Sequence, residues 1–172
     1  SVYGNYFSMA SPCDLWLVYF MAIIDGLNLS ETLRVCDRFV IRRDDKLRII
    51  SEKKSEKKVM ALLSAKKEIL PSRTYRALEP LSSETLLFIM AKCGGRLLKR
   101  RAKDFLTKYN SVRISLRGAD LKRLGAQPGP CFTEILKATL YAKIDGLIST
   151  KQDELSFAEK QIKRCIKSSY KP

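Results

Sequence analysis

The residues best suited to chemistry lie between Arg113 and Leu140, in RISLRGADLKRLGAQPGPCFTEILKATL. Two helix-boundary devices share this stretch. Asp120 is a plausible N-cap just after Gly118, and Leu124-Gly125 ends the short helix that follows. Gln127-Pro128-Gly129-Pro130 then breaks the chain and opens a longer helix, with Pro130 suited to its first turn. Free N–H groups and the positive end of the dipole at that second helix stand near Arg117, Lys122 and Arg123, a combination suited to a phosphate oxygen. Taken singly, the glycines, the prolines and Asp120 also have a purely architectural role as caps and turns. The two roles are compatible, because the caps build the geometry that a phosphate uses.

Composition narrows the chemistry further. The chain has 172 residues, 33 Lys+Arg against 18 Asp+Glu, and a net charge of +15. An excess of this size points to an anionic partner, nucleic acid first and a membrane surface second. Histidine is absent, which removes the commonest general base, the commonest metal ligand and any Ser–His or Cys–His nucleophile pair. Cys13, Cys36, Cys93, Cys131 and Cys165 are odd in number, widely spaced and never in CxxC spacing. They read as reduced, mostly buried residues of a cytoplasmic protein, without a zinc site. The paired Asp44 and Asp45 lack an alternating carboxylate or a Gly-rich phosphate loop, so one of them is read as a helix N-cap rather than as a magnesium ligand. No Walker loop, GxGxxG or GxSxG occurs. The residues supply no catalytic constellation, and no small-molecule substrate is expected in this part.

The elements that position these residues are helices throughout, and the fold class expected is all-α. Ser11-Pro12 is read as the start of a helix reaching Asp25, apolar nearly all round and therefore central and buried. Its apolar run, Leu15 to Ile24, is too short to cross a bilayer, so no membrane partner is expected. Ser30 is read as the cap of a second helix ending near Val40. Asp44 to Glu68 is helical in composition, with SEKKSEKK as a solvated face or as a break between two helices. Pro71 opens a short helix, Ser82 caps Ser83 to Lys92, and Gly94-Gly95 marks a boundary between a helical body, 1–93, and a basic tail, 94–172. From Arg96 to Asn110 an apolar stripe of Leu98, Ala102, Phe105 and Tyr109 backs a cationic face of Arg96, Lys99, Arg100 and Lys103. Val112 to Leu116 is read as extended without a partner strand. Helices over 129–145, ended by Gly146, and 150–168 complete the chain. It opens on Ser1 rather than Met, which reads as a fragment or a processed product whose N-terminal part lies elsewhere.

The Leu116–Leu140 stretch, followed by Ala142-Lys143-Ile144-Asp145-Gly146 and Asp153-Glu154, resembles the C-terminal part of class II tRNA nucleotidyltransferases, in the poly(A) polymerase family. There the pattern is Gly-x-Asp-Leu, Leu-Gly, Pro-Gly-Pro, a helix ending in Asp-Gly, and an acidic stretch. Trp16 to Leu27, Leu78 to Leu81 with the helix that follows, and Arg100 to Arg113 are similar to the helical body of that family, closest to the bacterial branch with A-adding enzymes. The resemblance implies that magnesium and ATP or CTP belong to a catalytic head whose Gly-rich motif and carboxylate pair are not in this sequence. It also implies a tRNA partner, gripped along its acceptor and T-arm backbone. The contacts expected are Arg96, Lys99, Arg100, Lys103, Arg113, Arg117, Lys122 and Arg123, with the backbone at Gly129. An interaction or scaffolding domain that docks a partner protein is the alternative.

Overall fold

In the computed structural model, which describes residues 13–169, and the side chains of residues 13–165, the described residues form helices and connecting turns with no strand. We number the helices α1 (Leu15–Ile23), α2 (Leu29–Arg38), α3 (Arg43–Ser64), α4 (Pro71–Leu78), α5 (Ser83–Lys92), α6 (Arg96–Asp104), α7 (Gly118–Arg123), α8 (Pro130–Ile144) and α9 (Lys151–Ser169). The all-α expectation holds. Two compact units form: the chain up to Ile69 with Arg73–Asn110, and Leu70–Ser72 with the chain from Ser111 onward. Gly94-Gly95 joins α5 to α6 inside the first unit.

In the first unit, α1 departs from the sequence reading. Leu17, Met21 and Ile24 are buried along one stripe, whereas Tyr19 and Ile23 are 70% and 81% exposed and Leu15 and Trp16 about half exposed. An all-apolar helix is buried all round only if neighbours cover every side, and α1 packs chiefly on α5. Ser11 and Pro12 lie outside the described residues, and Asp14 occupies the N-cap position. The cap of α2 is Asn28 rather than Ser30. The Asn28 side chain accepts from the Glu31 N–H at 3.0 Å, and Glu31 accepts from the Asn28 N–H at 2.9 Å, a reciprocal pair that satisfies two orphan donors.

Helix α3 is one unbroken rod of 22 residues, so SEKKSEKK is not a break. Nor is the run solvated on every side. Glu52 and Glu56 share a buried stripe with Ile49, Val59 and Leu63, while Lys54, Lys57 and Lys58 stay outside. The position before α3 is Arg42, so Asp44 and Asp45 sit inside its first turn rather than capping it. There they face the positive end of the dipole. Helix α6 lays Leu98 and Ala102 inward and continues into a wider turn, in which the Asn110 N–H donates to the Phe105 carbonyl at 2.8 Å.

The second unit is a helical hairpin with a short helix against it. Buried Leu116, Leu121, Ala126, Ile135, Ala158 and Ile162 form its core. Thr150 opens α9, its hydroxyl accepting from the Asp153 N–H at 3.1 Å. Asp145, just past α8, accepts from the Ser72 N–H at 2.8 Å and its hydroxyl at 2.7 Å, tying residues 70–72 to this unit. No helix among the described residues is long and apolar enough to cross a membrane.

Candidate nucleic-acid interface

The expected contact residues fall into two groups. Arg96, Lys99, Arg100 and Lys103 belong to α6 in the first unit. Arg113, Arg117, Lys122, Arg123 and Gly129 belong to the second.

On α6 the apolar stripe does its expected job. Leu98 and Ala102 are fully buried, which turns Arg96, Arg100 and Lys103 to solvent and leaves Lys99 half-buried. Arg101, part of the same basic run, plays a different role. Its guanidinium donates to the carbonyls of Leu62 at 3.3 Å, Leu63 at 2.8 Å, Ala65 at 2.8 Å and Lys67 at 2.9 Å. It satisfies the orphan carbonyls at the end of α3, and the planar five-donor fork is the reason an arginine suits that place.

In the second unit the positions are set by one buried carboxylate. Glu154 is fully buried, and its Oε2 accepts from the backbone N–H groups of Ser115 at 2.8 Å and Leu116 at 2.9 Å. Its Oε1 accepts from Lys143 at 2.6 Å. The segment between the two units' helices, Val112 to Leu116, has no regular secondary structure, so these two bonds take the place of a ladder. With Leu116 buried beneath, the chain enters α7 in a fixed direction and Arg113 and Arg117 stay exposed. The sequence reading quoted Asp153-Glu154 but missed this role; the signal available was an acidic residue on the apolar stripe of α9.

Asp120 does not cap α7. Its carboxylate, three residues in, reaches back to accept from the Arg117 N–H at 2.9 Å, so Arg117 holds the N-cap position. Gly125 takes a left-handed conformation at φ 84°, and the Ala126 N–H donates to the Leu121 carbonyl at 3.0 Å, which closes α7 as expected. Pro130 is the first residue of α8, also as expected. Gly129 is exposed and extended, at φ 162°. A Cβ added at Gly118 would meet the Phe132 ring at 3.6 Å, ordinary contact, so crowding does not demand a glycine there.

Lys122 and Arg123 occupy the exposed last turn of α7. Arg123 has only a loose ion pair with Asp120, at 3.8 Å with the arginine 81% exposed, and contributes little to stability through it. Among the described residues Arg96, Lys99, Arg100, Arg117 and Lys122 form no ion pair. Among the described residues no group of three or more His, Cys, Asp or Glu side chains is placed to hold a metal ion. Each unit therefore carries exposed guanidinium and ammonium groups on a rigid helix, which can hold anionic oxygens by charge and hydrogen bonding.

No family model matches the chain, and no solved structure matches it. The chain is similar to the A-adding tRNA nucleotidyltransferase of Geobacter sulfurreducens, with 29% identity over 154 residues, which cover 87% of this chain and 18% of that enzyme. It thus spans less than a fifth of the length of the curated relative it matches. The likeness agrees with the resemblance carried by the Gly118–Ile135 motif.

Proposed function

We propose that this chain is the RNA-binding portion of a tRNA nucleotidyltransferase-like protein. In this reading it holds the acceptor and T-arm backbone of tRNA while A or CCA is added to the 3′ end by a catalytic head outside this sequence. Recognition rests on shape and phosphate contacts. The observation that carries the reading is that Arg96, Arg100, Arg117 and Lys122 are exposed on rigid helical segments and enter no ion pair among the described residues, in a chain similar to an A-adding tRNA enzyme. Phosphate contacts of this kind release counterions, so binding must weaken steeply with salt.

The test replaces Arg117, Lys122 and Arg123 with glutamate together and measures tRNA binding across a salt series. Affinity falls, and the slope of log affinity against log salt shrinks by roughly 2–3, about one counterion per lost contact. Unchanged binding and slope would falsify the site assignment.

A protein-docking role is the second reading, favoured by one observation: the exposed apolar face of α1 formed by Leu15, Trp16, Tyr19 and Ile23. Under that reading, capture of a protein partner survives excess tRNA and is lost on substituting Tyr19 and Ile23 with serine.

A further inference from the structure

Helices α8 and α9 run antiparallel, and two cross-pairs fix their register. Near the turn, Lys143 of α8 meets Glu154 of α9 at 2.6 Å. At the far end, Cys131 of α8 and Cys165 of α9 are neighbours, and Cys165 is among the groups that raise the Cys131 thiol. Cys131 precedes Lys143 by nearly as many residues as Cys165 follows Glu154, so the hairpin brings the two cysteines to the same level. Both pack, half-buried, against the same core of Leu116, Leu121, Ala126, Ile135, Ala158 and Ile162. Cys13, Cys36 and Cys93 belong to the first unit and share neither that core nor the contact.

We propose that Cys131 and Cys165 form a reversible redox pair, in which a small-molecule disulfide of the glutathione type converts the two thiols into a staple joining the first turn of α8 to the distal part of α9. The step balances through a mixed disulfide. Cys165, as thiolate, attacks one sulfur of glutathione disulfide and expels one glutathione thiolate, which takes up a proton. Cys131 then loses its proton and attacks the Cys165 sulfur, and a second glutathione leaves. Two protein thiols are oxidised and one glutathione disulfide is reduced to two thiols.

Burial above all, then Cys165, then Glu134 push the Cys131 thiol up to about 11, so Cys131 keeps its proton at neutral pH. This inference does not depend on the RNA reading.

The test exposes the full chain to glutathione disulfide, quenches with iodoacetamide and maps peptides by mass spectrometry. The expected product is a Cys131–Cys165 linked peptide, with the other three cysteines alkylated and the linkage reversed by dithiothreitol. Oxidation raises Tm by roughly 10 °C, from the loop that the bond closes. C131S, in which Cys165 can form but not resolve the adduct, accumulates a glutathione adduct at Cys165 and shows no such rise. The proposal is overturned if both thiols remain alkylated after prolonged oxidation, or if linkages to Cys13, Cys36 or Cys93 form in equal yield. It is equally overturned if the linkage appears only after unfolding in urea.

Discussion

Each unit buries a glutamate almost completely, and the two are treated oppositely. Glu154, in the second unit, receives two backbone N–H groups and Lys143. Glu52, in the first, is 1% exposed and has a buried Oε1 with no hydrogen-bond partner among the described residues. Burial and the neighbouring Glu56 push its carboxyl up to about 7, against the weaker pull of Lys53 and Lys92. Lys92 cannot serve it because that ammonium is already held by Asp25 at 2.6 Å and by Glu56. Arg48 is likewise occupied, with Asp14 at 3.0 Å, Glu84 at 3.6 Å and Asp45 at 3.8 Å. The first unit thus uses its inner cations to absorb carboxylates and leaves one acid over. The second, among the described residues, matches its one buried acid fully and leaves Arg117, Lys122 and Arg123 without tight partners. The difference teaches that the same residue types are structural or available according to how many opposite charges the fold brings beside them.

The largest effect comes from breaking the matched side. Glu154→Ala strands Lys143 and leaves the Ser115 and Leu116 N–H groups without their acceptor. Unfolding in urea then shows a loss of about 3 kcal/mol, with amide exchange accelerating first at Ser115 and Leu116. A loss under 1 kcal/mol contradicts the positioning role given to this carboxylate.

The unmatched side responds in the other direction. A carboxyl whose folded pKa stands near 7, above its ordinary 4.5, binds its proton more tightly in the folded state. Its contribution is therefore complete below about pH 4.5 and is lost as pH rises through 7. Glu52→Gln removes that dependence: near pH 4.5 the variant matches the parent, and at pH 8 it is more stable by roughly 2 kcal/mol. Urea midpoints at the two pH values decide it. A variant less stable than the parent at pH 8 means that Glu52 has a stabilising partner as a charged group.

These contrasts also mark what was legible in the sequence. Pro71, Ser82, Gly125, Pro130 and Gly146 punctuate helices because their effects are local, and each stands at or within a few residues of the boundary it was expected to mark. Burial is not local. Helix α1 is apolar on every side, so its sequence carries no periodic signal of which stripe a neighbour will cover. Glu52 and Glu56 stand among lysines that made the run look solvated, although they share the spacing of Ile49, Val59 and Leu63. Pairing is the least legible, since Arg48 finds Asp14 34 residues away and Lys92 finds Asp25 67 residues away. The basic run from Arg96 to Arg123 was visible as composition. That Arg101 within it ends α3, while Arg96 and Arg100 stay outside, is decided only by what α6 packs against.

The smallest effect on stability is the one that separates the two kinds of cation. Arg117, Lys122 and Arg123 are exposed, and their one ion pair is loose. Reversing all three to glutamate therefore changes the urea midpoint little, by about 0.5 kcal/mol or less per site. Part of that change comes from placing negative charge at the negative end of the α7 dipole. Arg48 is the control from the other unit: Arg48→Met leaves Asp14, Asp45 and Glu84 facing one another with Glu84 buried, and costs about 2 kcal/mol or more. The triple reversal thus leaves a folded protein in which a fall in tRNA affinity reports contact rather than collapse. If it destabilised the chain as much as Arg48→Met does, the outer cations would be structural after all, and the division drawn between the two units would fail.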